Sequence, residues 1–129
     1  MFSILAGIVI ALLPQNAATF KLVSTRKTFE LIRIDPSIVL LDVRTPDEFR
    51  GESGHLEHAI LIPLQELERR LDELTAYKRQ TIIAYCRSGN RSGTAAAILT
   101  KKGFAAMNME GGMLKWNAEK LPVVHEPNP

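Results

Sequence analysis

A chain of 129 residues, 46% of them hydrophobic, is long enough to bury one compact core and short enough that a single domain is expected. Its formal net charge of +2 comes from lysines and arginines spread among acids, which excludes the clustered basic footprint of a nucleic-acid binder. The single cysteine excludes an internal disulfide framework, a cysteine-rich zinc site and dithiol redox chemistry within one chain.

Residues 1–19 form an apolar N-terminal segment without a charged side chain. The run from Phe2 to Leu13 is short for a bilayer span but fits the hydrophobic stretch of a signal peptide, with Pro14 and the small residues Ala17 and Ala18 after it. No lysine or arginine precedes the run, and no Ala-x-Ala triplet stands before a cut at Ala18. One reading is an exported, periplasmic or membrane-associated protein; the other is a cytoplasmic protein whose N-terminal helix packs on the domain.

Residues 20–122 alternate short apolar runs with amphipathic ones, the pattern of an α/β domain with a largely parallel sheet. A strand is expected at residues 20–23. Ser24 or Thr25 then caps a helix reaching Ile34, where Asp35-Pro36 breaks it. Residues 38–41 read as a buried strand ending in Asp42-Val43-Arg44. Thr45-Pro46-Asp47-Glu48 is a helix start, with threonine as N-cap, proline in the first helical position and glutamate three residues after the cap. Leu64, Leu67, Leu71 and Leu74 recur at helical spacing and predict one surface helix, with Glu66 and Arg70 paired on its wet side. Residues 81–85 form another buried strand, and a helix over residues 92–102 stops at Gly103, with Lys101 and Lys102 at the negative end of its dipole. A strand at residues 106–109 leads through Glu110-Gly111-Gly112 into a helix containing Leu114 and Trp116. The proline-rich tail, residues 123–129, is expected to fray.

This order places the stretch YCRSGNRSG, residues 85–93, at the carboxyl end of a strand and directly before a helix N-terminus. In open α/β sheets that crevice is where ligands bind. The glycines and short polar residues let successive backbone N–H groups turn inward around an anion, above the helix dipole. With Arg87 and Arg91 nearby, these features favour the thiolate of Cys86 over an inert core thiol, and the thiolate is the nucleophile. The expected substrate is small, anionic and electrophilic.

The set LLDVRTPDEF, the Gly-His of SGHLEHAILIP, YCRSGNRS and EGG resembles the rhodanese family of sulfurtransferases over residues 20–122. The resemblance implies a three-layer α/β domain, a five-stranded parallel sheet with helices on both faces. It implies that Cys86 takes the outer sulfur of a donor such as thiosulfate as a persulfide, and that cyanide, a thiol or a protein acceptor removes it, with neither cofactor nor metal. Arg87, Ser88, Gly89, Asn90 and Arg91 would complete the six-residue loop around that sulfur, with Asp42, Arg44 and His55 as supporting residues. Where the family commonly reads Gly-His-Ile-Pro-Gly-Ala, this chain has Gly54-His55-Leu56-Glu57-His58-Ala59, so the shape of this loop does not follow from the resemblance, while the chemistry does. His55 and His58, three apart with no further ligand at a recognised spacing, are a weak metal signal. Two alternatives stand beside sulfur transfer. A cysteine phosphatase or arsenate reductase also sets a cysteine and an arginine around a loop of amides, although the four residues between Cys86 and Arg91 make this loop one residue shorter than is typical of cysteine phosphatases. A non-enzymatic module could use the same domain as a persulfide carrier or to bind a partner protein.

Overall fold

The computed structural model describes residues 19–125; the expectations for the N-terminal segment and for the last four residues fall outside that range. Five strands, β1 (Lys21–Val23), β2 (Val39–Asp42), β3 (Ile60–Leu61), β4 (Thr81–Tyr85) and β5 (Ala105–Met109), form one sheet in the order β1-β5-β4-β2-β3. Every pairing is parallel. The helices are α1 (Thr25–Ile34), α2 (Pro46–Phe49), α3 (Leu64–Leu67), α4 (Asn90–Lys101) and α5 (Gly112–Ala118).

Strand periodicity of two explains the layers. Along β4, Ile82 and Ala84, followed by Cys86, join Leu67, Leu74, Ala95, Ala96 and Leu99 in one core. Ile83 and Tyr85 join Met113 and Trp116 in the other, with Phe29 and Ile32 of α1 packed against it. The central strands are thus apolar on both faces because each face carries helices, the condition under which parallel sheets occur. The three-layer α/β arrangement agrees with the fold expected above. Caps fix the helix starts: Ser24 accepts from the Lys27 N–H at 2.9 Å, and Thr45 and Glu48 form a complete capping box at α2.

Two segments differ from their sequence patterns. The leucine series does not form one helix: α3 gives way to a 3-10 segment, Glu68–Tyr77, interrupted at Arg70 (φ −115°, ψ 19°). Leu67 and Leu74 are nonetheless fully buried, since spacing specifies which side turns inward but, over so few turns, does not separate 3.6 from 3.0 residues per turn. Arg70 ties the break together, reaching Glu66 at 2.8 Å and Glu73 at 2.8 and 2.9 Å. The tail is also held as far as it is described, instead of fraying. Val124 and His55 exchange two backbone hydrogen bonds of 3.0 and 2.9 Å, and the Trp116 indole donates to the Pro122 carbonyl at 2.9 Å. Among the described residues, no helix is long and apolar enough to cross a membrane.

Candidate active site

Cys86 follows the last residue of β4, and strand parity turns its side chain under the N-terminus of α4. The residue is 1% exposed, at the floor of a loop whose Arg87, Ser88 and Asn90 face solvent. Gly89, at φ 109°, turns the chain left-handed into α4, a conformation that favours glycine, and brings its N–H to 3.1 Å from the sulfur. The Ser92 N–H lies at 3.4 Å and the Ser92 hydroxyl also at 3.4 Å. Burial pushes the Cys86 thiol up, but the Ser92 hydroxyl, when its proton is turned to the sulfur, and the amides of Ser92, Gly89 and Ser88 bring it below its ordinary value.

The arginines enter this balance less than their charge implies. Arg91 places its two terminal nitrogens on the two carboxylate oxygens of Glu48, at 2.8 and 2.9 Å, so its charge is largely met by α2. Arg91's hydrogen bonds, against a smaller opposing effect of burial, hold the Glu48 carboxyl at about 2. Arg87 is exposed. Hydrogen bonds are the largest effects lowering the thiol, because backbone N–H groups at the helix start reach the sulfur directly.

The Glu110-Gly111-Gly112 stretch docks α5 on the cysteine loop. Met113 and Leu114 donate their N–H groups to the carbonyls of Cys86 and Arg87 at 2.9 and 3.0 Å. A Cβ at Gly112 would stand 2.4 Å from the Arg87 oxygen and 2.5 Å from the Cys86 oxygen, so glycine is required by close approach as well as by its φ of 56°.

Asp42 and Arg44 form a fully buried pair behind the loop. Arg44 reaches Asp42 through Nε at 2.9 Å and a terminal nitrogen at 2.7 Å, the partner that a carboxylate ending an apolar strand requires. Its remaining donors hold the Ser53 hydroxyl at 3.0 Å and the Gly54 carbonyl at 2.9 Å. His55 is buried and stacks on Phe49 with ring centroids 3.7 Å apart. His58 stands where the family pattern has its second glycine and still adopts φ 66°. A histidine thus takes a left-handed conformation that favours glycine. Among the described residues, no three His, Cys, Asp or Glu side chains are grouped to hold a metal ion.

Three residues at this site were not singled out from sequence. Glu48 was read only as a helix cap. Ser92 lay within the cysteine stretch but outside the six-residue loop. Asn108, whose Oδ1 lies 2.6 Å from the Ser92 hydroxyl and whose Nδ2 donates to the Gly89 carbonyl at 3.1 Å, left one trace, as the only polar residue of β5.

A parallel α/β sheet with a thiol cradled by amides at the end of a central strand defines a class of cysteine-loop proteins. Within that class the chain matches the rhodanese-like domain over residues 25–119. It is 34% identical over 88 residues to a sulfurtransferase of Allochromatium vinosum, covering 67% of this chain and 78% of that protein. It is 37% identical over 103 residues to an uncharacterized protein of Synechocystis sp., covering 79% of this chain but only 55% of that relative. The crystal structure of a rhodanese-related protein from Thermoplasma volcanium superposes with a TM-score of 0.75 at 30% identity, covering 83% of this chain and all of that one. The chain belongs to the rhodanese family.

Proposed function

We propose that the protein is a sulfurtransferase that carries sulfane sulfur on Cys86. The Cys86 thiolate attacks the outer sulfur of thiosulfate or a similar anionic donor. The donor's S–S bond breaks, sulfite leaves with the bonding electrons, and the enzyme holds a persulfide. Cyanide or a thiolate then attacks the outer sulfur and departs as thiocyanate or a new persulfide, returning the Cys86 thiolate. The observation that carries this reading is the sulfur set among inward amides, with Gly89 N–H at 3.1 Å and Ser92 N–H at 3.4 Å. Such donors stabilise a small anion without a bound cofactor.

The short loop and the occupied arginine favour sulfur transfer over phosphate-ester hydrolysis. A phosphate ester needs room for three oxygens and a guanidinium to receive them, whereas Arg91 already spans both oxygens of Glu48. Intact mass measurement after incubation with thiosulfate is expected to show one added sulfur atom, removed again by cyanide or a thiol. Formation of the adduct on a Cys86→Ala variant would overturn the assignment of the nucleophile. Hydrolysis of an aryl phosphate with no sulfur adduct would overturn the reaction class. Residues 1–18, with their uncharged composition, are proposed to direct export or membrane association and to stand apart from this chemistry.

A further inference from the structure

The Ser92 hydroxyl carries one proton and faces two acceptors, Asn108 Oδ1 at 2.6 Å and Cys86 Sγ at 3.4 Å. The Asn108 amide cannot be turned around, because its other end lies 3.1 Å from the Gly89 carbonyl, which only accepts. That nitrogen also packs over Gly93, where an added Cβ would come within 3.3 Å of it. Oδ1 therefore faces Ser92, and the shorter contact takes the proton. What Ser92 then presents to the sulfur is a lone pair. Ser92, Cys86 and Asn108 are all buried, where a lost hydrogen bond is not readily replaced by solvent.

We propose that Asn108 is a positioning residue for Cys86: by holding the Ser92 proton it makes the resting sulfur a hydrogen-bond donor, and the hydroxyl must leave Asn108 before it can stabilise a thiolate. In the thiol form the bonds run from S–H to Ser92 Oγ and from Ser92 O–H to Asn108 Oδ1. On ionisation the thiol proton leaves to water, and the hydroxyl rotates to the sulfur or stays and leaves the amides alone to support the charge. Either way Asn108 weighs against the empty thiolate. Once Sγ is bonded to an outer sulfur it carries no proton and little charge, and Ser92 keeps Asn108 without conflict while the loop amides serve the outer atom. The arrangement favours the loaded over the empty ionised sulfur. This consequence rests on the persulfide reading above; the placement of the proton does not.

The charged groups around the sulfur are independent of Asn108. Arg91 of α4 is paired with Glu48 of α2, and Arg44 with Asp42 at the end of β2. β5 carries no titratable side chain, α5 offers only the exposed Lys115, and Arg87 is exposed on the loop itself.

The test follows the thiolate's ultraviolet absorbance against pH in the full chain, with a Cys86→Ala variant as the blank. The one cysteine makes the signal specific. Asn108→Leu, which removes the acceptor at similar size, is expected to lower the midpoint by about one pH unit, about tenfold more thiolate at a fixed acidic pH. In a Ser92→Ala background the same substitution is expected to have no effect. A residue that merely supports the loop would, when removed, loosen the amides and raise the midpoint with or without Ser92. An unchanged or raised midpoint, or an equal shift in both backgrounds, overturns the proposal. Should Asn108→Leu lack a cooperative melt, Asn108→Ala carries the same prediction. No sulfur donor is used, so absence of a thiosulfate adduct alongside the expected titration would defeat the sulfur-transfer reading alone.

Discussion

At Cys86 burial and hydrogen bonding pull in opposite directions, and the donors at the start of α4 leave the thiol below its ordinary value. The loop must therefore hold its amides in place, and Gly112 is where the rest of the domain grips it. Gly112→Ala would force a Cβ against two loop carbonyls in a left-handed conformation. It is expected to destabilise by about 2 kcal/mol or more and to remove sulfur transfer, read by denaturant unfolding and a thiosulfate assay on the same preparation. The Glu48–Arg91 pair predicts a pH dependence. Glu48 lies at about 2, below its ordinary 4.5, so the pair's contribution to stability is complete above the ordinary value and is lost as pH falls toward 2. Glu48→Gln should be less stable than the parent at neutral pH, with the difference shrinking in acid and vanishing once Glu48 is protonated. A deficit that persists undiminished in acid would show that the carboxylate charge is not its source. Cys86 was legible from its placement alone, between an apolar strand and a polar, glycine-containing turn. The partner of Arg91 was not, because Glu48 lies 43 positions away and its local pattern already had an explanation as a helix cap.

The elements divide in the same way. β2 and β4 are legible because a strand buried on both faces is a short uninterrupted apolar run, and α1 because a cap and an Asp-Pro break bracket it. The segment after α3 is not, since leucines three and four apart satisfy a helix and a 3-10 turn alike. The loop at residues 54–59 shows a third case, in which a histidine occupies a left-handed backbone position. His58 holds a left-handed φ that is unfavourable for a side chain by about 1–2 kcal/mol, and its ring is exposed. His58→Gly should accordingly raise stability by up to about 1 kcal/mol, the added freedom of the unfolded chain offsetting part of the gain. Equilibrium denaturation checks this; a loss of stability would mean that the imidazole itself contributes.

At the scale of the molecule, the described residues open on β1 and include two apolar cores, one on each face of the sheet. A chain beginning at Thr19 is expected to keep the unfolding midpoint and the sulfur-transfer rate of the full chain; loss of cooperative unfolding would show that the preceding residues belong to the core. The strand order was legible only as far as parallel pairing, because periodicity says which side chains are buried and nothing about which strands are neighbours. That order has a bearing on how the protein comes into being. Among the described residues β1 pairs only with β5, Lys21 opposite Met107, so a strand made early must wait for one made some eighty residues later. At about 5–20 residues per second the interval is on the order of ten seconds, and only near its end has translation supplied the loop with its cysteine but not yet the α5 amides that dock onto it. Between β1 and β5 the nascent domain thus has an incomplete sheet, a window in which a chaperone can engage it before the thiol acquires its finished surroundings.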